Sequence, residues 1–528
     1  MSVQRPLAAF PPLALAVAMG AVVGCGSSAS HRSTDGGDGL DGGGIDTDAG
    51  ACDAGCLAWN EMGDFAPVTA PGSLVLLAPE SVPPGAPFPV AVRAEHPWSG
   101  SVTLGDRTNT KTVHLYRGAG SAPWTAPGTA TLLVLHADGA ADRSVSVELR
   151  TERELAGTLA GDDLHWNATD DVTVTANALV DQGATLVVDA GATVRLAPKV
   201  RIEVRGAMDV RGSRTAPVLF TRSAEGDWGE LDFVAGSEGA FRYAWITRGG
   251  GGNADRIFGH SSSAPVFRVT DATLSLAHSI LADNSGKAFG TRTSHVTLTD
   301  TITTHSDSGG EFKQSAVRME RTHNLELPDA DGSVDDDDND GVYLSGALEG
   351  PNGDLLSVLR DVVLAVGEDD AIDHNGGRVL VERAWIQGFF HEGVACSSAR
   401  TIEIRDSVIT NCDQGVESGY GSPTVNVVHS YIHGNHTGLR VGDSYDMPIE
   451  GTLTVRDSVV RGNDQDARNH SNALAGPVVG ALTIDCTWIE TGDVTGECNR
   501  DDAPPNACPE ISAPGCDCTA PGPSWCAP

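Results

Sequence analysis

A 23-residue spacing in the second half of the chain constrains its fold more than any other feature. Val358, Val381, Ile404 and Val427 follow one another at that interval, and Val363, Ile386, Ile409 and Ile432 repeat it five residues later. So short a repeat has no room for a pair of helices, and its β-branched runs disfavour a helix-bearing coil. It predicts a parallel β-helix, with three short strands per coil and each coil resting on the last. Leu186-Val187-Val188, Val194-Arg195-Leu196, Ile202-Glu203-Val204 and Met208-Asp209-Val210, punctuated by Gly191, Gly206 and Gly212, extend the pattern towards the N-terminus. The leucine spacing and asparagine ladder of a leucine-rich repeat are absent. The expected class is all-β, with the β-helix over 156–487.

What precedes the repeat differs in character. Residues 65–155 carry short β-type runs, among them Leu74–Leu77, Phe88–Val92 and Thr131–Leu135, separated by Pro/Gly turns. They predict a small immunoglobulin-like β-sandwich acting as a spacer. Residues 26–64 are rich in Gly, Asp and Ser and cannot bury enough apolar surface to offset their ordering entropy, so a disordered linker is expected. Residues 1–25 read as a signal peptide: Arg5, then the apolar stretch Leu13–Val23, too short for a stable span. Its end, Val22-Val23-Gly24-Cys25, resembles a bacterial lipobox. That resemblance implies lipidation at Cys25 and a cell-surface protein held in a membrane, the outer membrane by analogy, by its N-terminal lipid.

The 71 acidic residues against 35 basic ones give a formal charge of −36, which excludes nucleic acid as a partner. Ten cysteines besides Cys25 suit an oxidising compartment. Cys52 and Cys56 lie in the linker, Cys396 and Cys412 in the β-helix, and six in the Cys/Pro-rich tail over 488–528 or just before it. Disulfides are expected; the tail contains no histidine and fits no zinc finger. Six tail cysteines leave the connectivity open.

Equivalent residues of successive coils stack about 4.8 Å apart, so a periodic sequence reads as columns of side chains. Five segments align on one core-facing position: Val342, Ile372, Val394, Val416 and Leu439. Strand alternation then turns three further columns outward. The first is nearly all glycine (Gly341, Ala371, Gly393, Gly415, Gly438) and predicts a groove floor free of side chains. The second, Asn339, Asp369, His391, Asp413 and His436, and the third, Tyr343, Asp373, Ala395, Glu417 and Arg440, predict polar walls. A last column, Asp340, Asp370 and Glu392, is placed on a turn, because stacked carboxylates facing inward would be costly. Carboxylates this close repel, raising the pKa of at least one, as an acid/base pair requires.

The repetitive stretch resembles the right-handed β-helix repeats of the pectate-lyase-like superfamily, which implies the hand of the coil. Within it, Asp338-Asn339-Asp340-Gly341, Asp369-Asp370 and His391-Glu392-Gly393 partly resemble the turns of polygalacturonase-like glycoside hydrolases. That resemblance implies Asp340, Asp369 and Asp370 as acid and base residues, with His391 in support. The sequence departs from the pattern at the glutamate between His391 and Gly393 and at the 29 residues from Asp340 to Asp369. A lyase mechanism would instead place calcium on the aspartates and use Arg440 as base. Asp336, Asp338 and Asp340 match half a calcium loop, but Ala347 stands at its twelfth position, so an EF-hand is not expected. His429, His433 and His436 share no convergent face. Asx-Gly corners also recur in β-helices for turn geometry alone.

The first expectation is therefore a lipid-anchored surface protein that binds an extracellular polysaccharide or other polymer without catalysis, with calcium in support. The alternative is a polysaccharide-cleaving hydrolase or calcium-dependent lyase using the aspartates. Asn339, Asp373, Glu392, Asp413, Glu417 and His436 would line the groove, and Tyr343, Trp385 and Tyr420 are the aromatics available to sugar rings.

Overall fold

The computed structural model describes residues 70–501 apart from 254–255, 328–338, 352, 444–446, 471–476, 494–495, 497–498 and 500. Cys25, the linker, Asp336, Asp338 and most of the tail lie outside the described residues.

Among the described residues, 36 strands from Thr151 onward form one continuous sheet wound into a right-handed parallel β-helix. Each coil contributes to three walls. In one representative coil, Thr273–Ala277 lies in the first wall, Ile280–Asn284 in the second and Phe289–Arg292 in the third. Each strand pairs in parallel with its counterpart in the next coil, for example Leu274 with Val296 and Ile280 with Ile302. Alternation sends every second residue into the lumen, where Phe267, Phe289 and Phe312 stack with ring centroids 5.5 and 6.1 Å apart. The first strand of the coil, Thr151–Thr158, straddles the boundary expected at 156.

The corner between the first and second walls is built the same way in coil after coil. His278, Asp300, Arg321, Asp361, Arg383, Asp406, His429 and Asp457 each adopt a left-handed backbone, with φ near 50°. Each disfavoured residue needs local compensation. A ladder of hydroxyls supplies it: the Ala384 amide donates to Ser407 Oγ, that of Ser407 to Ser430 Oγ, and that of Ser430 to Ser458 Oγ.

The strand register sharpens the repeat. Val381, Ile404 and Val427 are stacked, as are Ile386, Ile409 and Ile432. The preceding members differ by one: Leu359, not Val358, pairs with Val381, and Leu364, not Val363, pairs with Ile386, because that coil is one residue shorter. Val363 points outward instead. It is nevertheless buried, because the sandwich covers it.

That sandwich packs a three-stranded sheet (Leu74–Leu77, Pro87–Ala94, Ala119–Thr125) with a five-stranded one (Ser81–Val82, Gly100–Gly105, Thr110–Leu115, Thr131–Ala137, Arg143–Val147). It is no freely hinged spacer. Its core is continuous with the outward column Leu219, Trp245, Ile280, Ile302 and Val363 of the second wall. Arg93 and His323 lie 3.5 Å apart in the seam, and Tyr116 donates to Glu326 at 3.2 Å. Trp385 belongs to this seam, under the Arg117 guanidinium 4.1 Å from its ring, and so is not a groove aromatic.

Cys396 and Cys412 are free and buried, not a disulfide. Cys396 faces the lumen, 3.0 Å from His374 Nδ1, whereas Cys412 sits in the next coil at the corner leading into the third wall. Burial pushes the Cys412 thiol up to about 12.

Candidate functional site: an acidic cavity on the third wall

Val342, Ile372, Val394, Val416 and Leu439 are mutually in register on the third wall, each fully buried, as their sequence alignment predicts. One residue on, Tyr343, Asp373, Ala395, Glu417 and Arg440 follow the same register. Asp373, Ala395, Glu417 and Arg440 open onto a cavity of about 610 Å³. The corners before each strand bring in Asp369, Asp370, His391, Glu392 and Asp413, and those after it bring in Asn375, Ser397, Tyr420 and Asp443.

The glycine column is not the floor. A Cβ on Gly341 would lie 2.5 Å from the Ala371 carbonyl oxygen, and one on Gly393 2.7 Å from that of Gly415. A side chain at Gly393 or Gly415 would also strike Ile409 or Ile432 in the core. These positions are glycine or alanine because neighbouring coils approach closely there. With alternation broken at the glycine, Asp370 and Glu392 face the cavity rather than the lumen.

Asp340 is fully buried and does not line the cavity. It lies with His260 and Asp373, their ligating atoms within 4.8 Å of one another. Asn339 is also buried and donates to Glu368 at 3.1 Å. His436 is outside the cavity, exposed and paired with Asp464 at 2.9 Å. His429 pairs instead with Asp406 at 3.7 Å, and His433 packs at a tilt against Tyr431, so the three histidines do not converge.

Two ion pairs, His391–Asp369 and Arg440–Glu417, stand in the cavity, and burial raises two of its carboxyls. Asp370 is buried, and desolvation, reinforced by Glu392, Asp369 and Asp340, pushes its carboxyl well above the usual range. Its Oδ1 accepts the Glu392 amide at 2.8 Å. Beside it His391 Nδ1 lies 2.5 Å from Asp369, and that bond lifts the imidazole to about 9. On the opposite side Arg440 lies 3.1 Å from Glu417, donates to Gln414 at 2.7 Å and reaches His470 at 3.0 Å. Gln414 in turn donates to Glu392. Burial raises Glu417 as well, with Glu392 adding and Arg440 opposing.

His260 was not legible as a site residue. It comes from the connection between Ala244–Thr247 and Phe267–Thr270, several coils upstream, and lies 3.7 Å from Asp373 with its ring 4.2 Å from that of Tyr343. Its neighbour Ser261 is fixed by a buried ion pair: the Ser261 amide donates to Glu311 at 2.7 Å, while Lys287 donates to the Ser261 carbonyl at 2.7 Å and to Glu311. Gln414, Asn375, Ser397 and Asp443 were missed as well. Asn375 and Asp443 lie at or beyond strand ends and Ser397 at a break in register, where periodicity fades, whereas Gln414 stacks on Glu392 and extends that residue's column.

Among the described residues, two groups have the donors for a metal: His260, Asp340 and Asp373, and Asp369, Asp370 and His391. Each offers one imidazole and two carboxylates, a poorer match to calcium, which takes about six to eight oxygens, than to a transition metal. In the second group the Asp369 bond favours a protonated His391, which has no lone pair for a metal.

Among solved structures, the chain is similar to the A-module of the mannuronan C-5 epimerase AlgE6 of Azotobacter vinelandii. The identity is 12% over 67% of this chain and 89% of that one, with a TM-score of 0.19. So low a score carries no argument about the site. No family model matches the sequence, and no curated protein does.

Proposed function

We propose that the third-wall cavity binds and cleaves a glycan chain, with Asp370 as general acid. The observation that carries this reading is a buried carboxyl, raised above its usual range, that opens onto a cavity of sugar size beside a second carboxyl paired with His391. Asp369, held next to a protonated His391, is the partner suited to activate water, and His391 supports it by orientation and charge. Asp340, shut away from the cavity, influences Asp370 only electrostatically. Arg440 is committed to Glu417, Gln414 and His470, a network that suits a fixed cation better than a base drawing a proton from carbon. The hydrolytic reading is therefore preferred to the lyase one. At the N-terminus the lipobox supports an anchor at Cys25 that holds the site outside the cell.

The test is release of reducing ends from a panel of polysaccharides. Asp370→Asn should slow release about 10²–10⁴-fold, the usual contribution of a general acid. Asp209→Asn, paired with Arg211 far upstream on the first wall, should leave it unchanged. Glycan binding by the wild type with no product would establish a non-catalytic binding protein instead. Loss of radiolabelled palmitate incorporation in Cys25→Ala would support the anchor.

A further inference from the structure

The composition of the cavity wall narrows the glycan it suits, on the reading that the cavity takes a glycan at all. Among the described residues the wall holds seven carboxyls, Asp369, Asp370, Asp373, Glu392, Asp413, Glu417 and Asp443, against Arg440, His260 and His391. Each of those cations already faces a wall carboxylate: His391 meets Asp369 at 2.5 Å, Arg440 meets Glu417 at 3.1 Å, and His260 lies 3.7 Å from Asp373. A uronate entering the cavity would have to displace one of these partners while approaching Glu392, Asp413 and Asp443. Like charges in a partly enclosed, low-dielectric space make that costly.

An ammonium group meets the opposite situation. It brings three donors and no acceptor to a wall rich in acceptors. Asp413 is exposed at the cavity mouth, one coil beyond His391, where a substituent projecting from a sugar ring would reach it. A second feature fits a sugar in particular. Phe390 is 46% exposed next to the cavity lining, its ring 5.4 Å from that of His391, and Tyr420 stands in the wall. An exposed aromatic gives no benefit to the fold but offers a face to the C–H side of a pyranose and to a nearby cation.

We infer that the cavity takes a glycan bearing free amino groups, a polymer of amino sugars, in preference to a polyuronate. Phe390 supplies the ring contact and Asp413 an ammonium contact at the entrance.

The experiment is calorimetric binding to full-length Asp370→Asn protein, in which turnover is slow, of three hexamers: glucosamine, N-acetylglucosamine and galacturonate, the last with and without calcium. The glucosamine oligomer should bind at least about tenfold more tightly than its acetylated counterpart, and more weakly as salt rises. The uronate should show no binding in either condition. Asp413→Asn should weaken the glucosamine oligomer about threefold and leave the acetylated one unchanged, as befits one exposed charge pair. Phe390→Ala should weaken both oligomers alike, and both substitutions are at exposed positions that do not threaten folding. Equal affinity for amine and acetamide, or binding of the uronate, would overturn the inference while leaving a glycan site in place. Absence of binding by all three, with no product from any glycan, would overturn the glycan reading itself.

Discussion

The second and third walls of the β-helix have the same coil and the same spacing but opposite fates. Outward positions of the second wall read Leu219, Trp245, Ile280, Ile302, His323 and Val363, all but one apolar, and the sandwich covers them so completely that none exceeds 4% exposure. Outward positions of the third wall from the Val363 coil onward read Asp373, Ala395, Glu417 and Arg440, and among the described residues no domain covers them. A regular coil therefore leaves each wall's role to its outward side chains: an apolar column needs a partner domain, and a charged one makes a site. Burial follows apolar character in the first case, whereas in the second it perturbs carboxyls such as Asp370.

Breaking the covered wall should have the largest effect on stability. Ile302→Asp places a charge in the closed seam and should cost about 3 kcal/mol or more, read as a lower denaturant midpoint. The reverse change on the open wall, Asp413→Leu, should shift stability by less than about 0.5 kcal/mol. Equal costs for the two would abolish the distinction between the walls.

Next in size is the pH dependence of stability at Asp370. Its folded pKa lies above the unfolded one, so its favourable contribution is complete below the unfolded value of about 4 and is lost as pH rises through the folded value. Asp370→Asn should therefore raise the melting temperature at neutral pH, with the gain vanishing in acid. A melting curve unchanged at every pH would remove the burial argument. Smaller again is the His391 bond. By NMR its ring should titrate at about 9 in the wild type and fall towards about 6.5 in Asp369→Asn. The stability that this pair contributes is complete below about pH 6.5 and fades as pH rises through about 9.

These contrasts also separate what could be read in the sequence from what could not. The third-wall stack from Val342 to Leu439 was legible because inward residues must be apolar in every coil. Val363 misled because its apolar character answers to the sandwich rather than to the lumen, and periodicity cannot tell the two apart. The glycine column was read as a floor since strict alternation ignores how closely adjacent coils approach at Gly393 and Gly415. The laddered corner does carry a local mark in the sequence: Asp406-Ser407, His429-Ser430 and Asp457-Ser458 pair a left-handed residue with a ladder hydroxyl. Nothing local foretold His260, which reaches the site through an excursion fixed by Lys287 and Glu311.

The protonation of Asp370 can be observed directly in the infrared difference spectrum between the wild type and Asp370→Asn at neutral pH. A protonated-carboxyl band, present in the wild type, absent from the variant and sensitive to deuterium exchange, is the predicted result. Loss of carboxylate bands alone would mean that Asp370 is ionised in the cavity, and the acid role assigned to it would be wrong.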